Sequence, residues 1–427
     1  MRINGFLLMF LFFFSAHAQE KEIIIPLSTR QPLTAVNVGS FNSSHFHQQY
    51  LEELRNILVY DINHNGSCFV QDGEGKSFKV AVEFFDKSFS AQVAFVKSEV
   101  TKTLGPYSLS GTLASDRRVI HHFADDLTLL MTGKNGIAST RILFAQQFPE
   151  KTPQGYEWRS EIWEADYDGA NQRQITNERS YCITPTFFPP QGEFTKNKFL
   201  YVNYKKGQPQ IYITAFNQTL GTPLISLRGN QLLPTVSQKG DLIAFISDAS
   251  GRADLFVQRF SPRNGPIGKP IQAYSYPNSV QASPTFRPDG KKIAFVSDKQ
   301  RTPRIFLIDT PIHGRGNTPR PLCLTKKYRH NTCPSWSPDG TKLAYSAMID
   351  GTRQIMIYDF LTKEEVQLTV DGIHKENPSW APNSLHLIYN TIETSSAELF
   401  IINLKQKEST QITHGPGRKH YPAWEPT

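Results

Sequence analysis

Long apolar runs are scarce in this chain of 427 residues. The run Phe6–Phe14 is nine residues, which as a helix spans about 14 Å, half of a bilayer core. No later segment approaches the ~18 apolar residues a membrane helix needs. Cysteine is nearly as scarce: Cys68, Cys182, Cys323 and Cys333 are the four, an even count that does not by itself make a disulfide framework. No Gly-x-Ser-x-Gly elbow occurs, which argues against the hydrolase domain of a propeller-bearing serine peptidase. Glycine and proline, 27 and 28 residues, are near average usage, so the chain is neither collagenous nor a low-complexity linker. What is present is apolar material: 39% hydrophobic and 12% aromatic residues, enough for large cores and incompatible with a mostly disordered chain. The length suggests two or three domains. The net charge of +8 permits nucleic acid, anionic polymers or acidic proteins as partners without choosing among them.

Residues 1–18 carry Arg2, the apolar run and Ala16-His17-Ala18. A charged start, a short apolar stretch and a small-x-small site predict a secretory signal peptide; the competing reading is a membrane anchor, for which nine apolar residues are short. The mature protein is then exported and soluble. Export, and the lack of any recognised motif, disfavour nucleic-acid binding.

One pattern recurs over the last 290 or so residues. Its members are Thr184-Pro185-Thr186-Phe187, Leu233-Pro234-Thr235-Val236, Ser283-Pro284-Thr285-Phe286, Cys333-Pro334-Ser335-Trp336, Asn377-Pro378-Ser379-Trp380 and Tyr421-Pro422-Ala423-Trp424. The prolines are 49, 50, 50, 44 and 44 residues apart, the period of a β-propeller blade. Each anchor is followed by a turn such as Pro288-Asp289-Gly290, where proline presets φ and Asp-Gly suits a hairpin. A continuous apolar run such as Leu242–Phe245 then reads as a strand buried on both faces. An alternating strand such as Asp254–Val257 and a polar one such as Thr410–Thr413 complete the unit. The ends are incomplete in complementary ways. Pro422 has no strands after it, while Arg141–Ala145, Glu161–Asp166 and Gln172–Thr176 lack an anchor before them. The C-terminal strand is therefore expected to complete the first blade and close a ring of six, removing free edges. An open stack of hairpins or a β-sandwich would leave both ends unmatched.

Residues 19–138 lack the repeat. Ile23–Leu27 reads as a short strand or extended segment. Ser43 or Ser44 is placed to cap a helix with Phe46, Tyr50, Leu54, Ile57 and Leu58 at helical spacing. Strands are expected at Phe78–Phe85 and Ala91–Val100, and a second helix from Ser115 or Asp116, with Val119, Phe123, Leu127 and Leu130 on one face and Gly133 as its stop. The fold class is thus mainly β: a six-bladed β-propeller (139–427) closed by the C-terminal strand and preceded by a small α/β domain (19–138).

In a propeller the residues just before each anchor proline stand at one channel mouth. Here they differ between blades: Asn230 and Leu233, Ala282 and Ser283, Asn331 and Thr332, Glu376 and Asn377, His420 and Tyr421. A shared scaffold with dissimilar mouth residues suits recognition.

The signal peptide, the α/β domain, the helix ending in Thr132-Gly133-Lys134-Asn135-Gly136, the strand led by Arg141, Asp166-Tyr167-Asp168-Gly169 and the terminal Tyr421-Pro422-Ala423-Trp424 occur in that order. With the six proline anchors this resembles the TolB family, periplasmic components of the Tol–Pal system. The resemblance covers essentially the whole mature chain. It implies a periplasmic, non-enzymatic adaptor, a monomer peripheral to the outer membrane. It implies docking of the peptidoglycan-associated lipoprotein Pal at the channel mouth, contact with a TolA-like protein through the mature N-terminus, and support of outer-membrane integrity and cell division. The Ser-Pro-Asp-Gly repeat alone is shared with peptidases and lactonases. The alternative is an exported propeller hydrolase or lactonase using a channel metal.

No catalytic constellation stands out, and no cofactor or metal is expected. His121, His122, Asp125 and Asp126 invite a metal reading, but they share one helix with no second cluster, and a solvated helix face is the simpler expectation. Cys182 and Cys333 fall three blades apart, and Cys323 on an outer strand, so no disulfide is expected among them. Between residues 299 and 330, Lys299, Arg301, Arg304, Arg315, Arg320, Lys326, Lys327 and Arg329 face only Asp309. This stretch is either a solvated rim or a surface attracting an acidic partner or anionic cell-wall polymer.

Overall fold

A computed structural model describes residues 33–427 apart from 74, 154, 191–193, 196, 312–319 and 395. The expected signal peptide and the strand at Ile23–Leu27 lie outside the described residues.

The N-terminal unit is a five-stranded sheet in the order Cys68–Val70, Thr34–Val38, Phe78–Phe85, Ser88–Phe95, Val100–Ser108, with its first two pairings parallel. Helix α1 (Gln48–His64) and helix α2 (Leu113–Thr132) bury apolar faces in its core: Leu51, Leu54, Ile57, Leu58 and Ile62 from α1, and Ile120, Phe123, Ala124 and Leu127 from α2. Helix α1 starts later than the serines suggest. Its N-cap is His47 in extended conformation without a side-chain cap, and Phe46 packs from outside the helix. Gly133 ends α2 as anticipated, at φ +69° with its N–H donating to the Leu129 carbonyl, a conformation that suits glycine.

The remainder is a ring of six four-stranded antiparallel sheets. Blade 2 opens with Cys182–Phe187, blade 3 with Gln231–Val236, blade 4 with Gln281–Phe286, blade 5 with Arg329–Trp336 and blade 6 with His374–Trp380. Blade 1 is built from both ends of the ring: Arg418–Trp424 pairs with Arg141–Thr152, followed by Gly155–Asp166 and Arg173–Gln174. The second strand of each blade holds a fully buried aromatic at one repeated position: Phe144, Tyr201, Phe245, Phe295, Tyr345 and Tyr389. Each fills the space between neighbouring sheets, and such burial stabilises by roughly 1.5–3 kcal/mol per side chain. Where the residue is tyrosine its hydroxyl is satisfied, by Glu178, Glu365 and Ser409 at 2.6, 2.6 and 2.7 Å.

The closure is specific. Trp424 pairs with Ile142, is buried, and donates its indole N–H to Thr140 Oγ1 at 2.8 Å. The Glu425 carboxylate accepts from the Arg141 backbone N–H and from Nε, each at 3.0 Å. The N-terminal unit sits on this seam. Its core is continuous with Ile142, Phe144, Tyr167, Ile388, Leu399, Ile401, Ile412 and Trp424 of blades 1 and 6. The approach is close at Gly66 (φ +74°), whose carbonyl accepts from Lys405 Nζ at 2.9 Å. A Cβ there would lie 2.9 Å from both Asn403 and His386.

Two substitutions test the seam. Trp424→Ala should lower unfolding free energy by about 3–5 kcal/mol through its cavity and the lost hydrogen bond. Trp424→Phe, which keeps an aromatic ring but loses the indole N–H and part of the volume, should cost less. Equilibrium denaturation checks both, and a Trp424→Ala cost below about 1 kcal/mol would contradict the closure.

Candidate functional site

The anchor proline explains the channel. Proline has no N–H for a ladder and is tolerated at bulges. In every blade the pairing register between first and second strands slips at the x-Pro step. The residue before the proline takes left-handed backbone in all six: Thr184, Leu233, Ser283, Cys333, Asn377 and Tyr421, with φ between 43° and 54°. None is glycine, although this region costs a non-glycine residue about 1–2 kcal/mol. The ring thus repeats one unfavourable turn six times to set its inner wall.

That wall encloses a cavity of about 270 Å³. Leu233, Ser283, Asn377 and Tyr421 line it, as the sequence suggests for the mouth; so do Thr184 and Cys333, which belong to the anchor pattern but are not among the expected mouth residues. The signal for both was available, since they precede anchor prolines as the other four do. The remaining candidates lie before the bulge and do not line the cavity. Asn230 holds the Asp248 carboxylate through its backbone N–H and Nδ2, both at 2.7 Å. Asn331 is buried and donates to Thr325 Oγ1 and the Tyr328 carbonyl at 2.9 Å. Thr332 accepts from Arg353 at 3.1 Å, and Glu376 pairs with the same guanidinium at 2.9 Å. Ala282 packs against the core between blades 4 and 5. Burial, reinforced by Arg418, lowers the His420 imidazole to about 4. Asn230, Asn331, Thr332 and Glu376 are thus engaged by neighbouring residues, while the pre-proline ring lines the channel.

The lining is hydroxyl, amide, proline and aromatic in character, with no carboxylate, imidazole or amine among its described residues. Burial, then the Glu376 charge, pushes the Cys333 thiol up to about 11, and burial raises the Tyr421 phenol above its ordinary value. Near neutral pH both stay protonated, so this surface can donate and accept hydrogen bonds but offers no acid–base pair.

The four cysteines are free thiols. The helix-face histidine pair divides. His122 and Asp126 are exposed, the latter accepting from Tyr107 at 2.6 Å. Asp125 turns back to accept from the Ala138 and Ser139 backbone at 2.8 and 2.9 Å. His121, by contrast, is buried against Asp61 of α1 and Asp168 of the loop after Gly155–Asp166. The solvated-face expectation fails for this residue because α2 packs it between α1 and blade 1. Among the described residues, Asp61, His121 and Asp168 form a cluster of metal-type donors. The set is poorly suited to a cation: both Asp61 oxygens already accept hydrogen bonds, from Tyr167 at 2.7 Å and His121 at 2.8 Å, and the Arg117 guanidinium sits on Asp168 with Nε at 3.0 Å.

Comparison with known proteins covers most of the chain. A family model described as the TolB beta propeller domain matches residues 129–427. "Protein TolB homolog" of Protochlamydia amoebophila is 43% identical over 390 residues, covering 85% of this chain and 83% of that protein. "Protein TolB homolog" of Chlamydia trachomatis serovar L2 is 36% identical over 364 residues, covering 84% and 81%. The crystal structure of TolB from Acinetobacter baumannii superposes with a TM-score of 0.73 at 21% identity, covering 93% of this chain and 97% of that one; it supports the fold.

The left-handed turns can be tested at Ser283. Ser283→Gly should leave stability unchanged or raise it by up to about 1 kcal/mol, because glycine adopts this backbone freely. Ser283→Val should lower it by more than 1 kcal/mol or so, since a β-branched residue suits this region worst. The reverse order in chemical denaturation would show that the turn is not as described.

Proposed function

The chain belongs to the TolB family, and from that premise we propose that it is a periplasmic, non-enzymatic adaptor of the Tol–Pal system that docks the peptidoglycan-associated lipoprotein at the pre-proline mouth of its propeller. In this reading residues 1–18 are the export signal, 19–138 the α/β domain and 139–427 the propeller. The mature N-terminus engages a TolA-like protein, and the assembly supports outer-membrane integrity and cell division. The observation that carries the reading is the ring of six dissimilar side chains, Thr184, Leu233, Ser283, Cys333, Asn377 and Tyr421, presented at one end of a common scaffold by one repeated turn. Its chemistry suits recognition: hydroxyls, an amide and a phenol among prolines, without a proton-transfer pair. The channel-metal hydrolase reading finds no ligand set in that lining.

The basic stretch borders the same mouth. Ser297 pairs with both Gln281 and Arg304, which places the loop bearing Lys299 and Arg301 at the pre-anchor end of blade 4. Lys326, Lys327 and Arg329 lead into the anchor strand of blade 5 and are exposed, as is Arg301. Arg304 donates to the Thr325 carbonyl at 3.0 Å, and Lys299 lies over Phe306, 4.6 Å from the ring centre. Asp309 is engaged by Lys292 at 2.7 Å. Arg320 is exposed but joins the other end of the blade, and Arg315 lies outside the described residues. An acidic face on the docked partner would be drawn to this side of the mouth.

Two measurements test the reading. The soluble domain of the organism's own Pal lipoprotein should bind the immobilised full chain, and Ser283→Trp with Asn377→Arg should weaken it at least about tenfold. Unchanged affinity in a folded double variant would remove the mouth as the docking face. Raising salt from about 50 to 500 mM should weaken binding several-fold as charges are screened; salt-independent affinity would remove the basic rim from the account.

A further inference from the structure

We propose that a protonated His121 is an electrostatic latch between α2 and blade 1, and that losing this proton in alkaline solution loosens the seat of the N-terminal unit on the propeller. The claim is independent of which partner docks.

The geometry carries it. His121 is 1% exposed and projects from α2 into the junction. Its Nδ1 lies 2.8 Å from Asp61 Oδ2 on α1, so this nitrogen is the donor to a carboxylate within its own unit. Its Nε2 is buried without a hydrogen-bond partner and lies 3.6 Å from Asp168 Oδ2 across the junction. In a neutral imidazole with its proton on Nδ1, the Nε2 lone pair would face a carboxylate oxygen, which is repulsive. With both nitrogens protonated, each N–H faces a carboxylate, and the contact attracts. The ring is further held edge-on to Tyr167, 5.5 Å between centres.

Every element packed on the ring contributes charge or polarity. Helix α1 brings Asp61 and Tyr60; the end of strand Gly155–Asp166 and the loop after it bring Asp166, Tyr167 and Asp168; α2 brings Arg117 to Asp168 and Arg118 to Asp166, the latter at 3.1 Å. These two ion pairs hold the junction together in part. His121 is the switching member. Burial opposes its charge, but the Asp61 hydrogen bond and the Asp61 and Asp168 charges outweigh burial and raise it above the ordinary 6.5. The sign follows: the latch is fully present below about 6.5 and is lost as pH rises through the elevated folded value. Deprotonation turns the Nε2 contact with Asp168, which keeps Arg117, from attractive to repulsive, and leaves the buried Asp61 carboxylate facing a neutral ring and the Tyr167 hydroxyl, where an uncompensated charge is costly.

The test uses the full chain. With histidine ring nitrogens labelled, and His121 assigned by its loss in His121→Gln, the His121 ring should still be an imidazolium at pH 7.5. Amide exchange, corrected for intrinsic rate, should accelerate at least about tenfold in segments 57–64 and 164–171 between pH 6.5 and 9.5. The strands of blade 4 should not change. His121→Gln should exchange fast in both segments at both pH values. Asp168→Asn should bring the His121 titration down towards 6.5, and it serves if His121→Gln does not fold. A His121 ring that titrates at or below 6.5, or segment exchange that ignores pH, overturns the proposal.

Discussion

The architecture depends on one pairing: strand Arg418–Trp424 laid antiparallel on Arg141–Thr152. Without it the ring has two open sheet edges, and the channel has no sixth wall. The same pairing presents Ile142, Phe144 and Trp424 as the floor on which the N-terminal unit packs. Closure, channel and junction are therefore one cooperative structure, locked by an indole hydrogen bond to Thr140 and the Arg141–Glu425 pair. A non-local contact of this kind repays its loop-closure entropy only when the whole ring forms.

Within the ring, core packing and channel lining occupy different layers. The second strands carry the repeated aromatic, interchangeable between phenylalanine and tyrosine wherever a hydroxyl partner is provided. The first strands carry the proline and the left-handed residue before it. That residue is unfavourable locally and is held by the blades on either side, as expected of backbone conformations that over-determined surroundings sustain. Because the backbone at this position is fixed by the scaffold, its side chain is free to differ from blade to blade. Recognition by such a surface needs no change in fold.

Much of this was legible in the sequence, for a physical reason. Proline anchors at blade spacing, Asp-Gly turns and apolar runs each report local backbone requirements, and the unmatched ends report closure. The channel position of Leu233, Ser283, Asn377 and Tyr421 followed from the same periodicity. Asn230, Ala282, Asn331, Thr332, Glu376 and His420, also expected at the mouth, precede the bulge at the x-Pro step and are not among the residues lining the cavity; sequence adjacency does not show that redirection of the chain. His121 was misread for a related reason. Helical periodicity places it beside exposed His122 and Asp126, and only tertiary packing reveals that blade 1 covers that edge of α2. The start of α1 was obscured by serines that look like caps but lie upstream of an uncapped His47.

The central claim is that the pre-proline end of the closed ring is the face that meets a partner. The most direct measurement is site-specific photocrosslinking with the purified Pal domain, placing the crosslinker in turn at Asn377, at the pre-proline mouth, and at Lys291, in the turn at the opposite end. The account predicts a covalent adduct from position 377 and none from 291. An adduct from 291 alone, or from neither while binding persists, would contradict it.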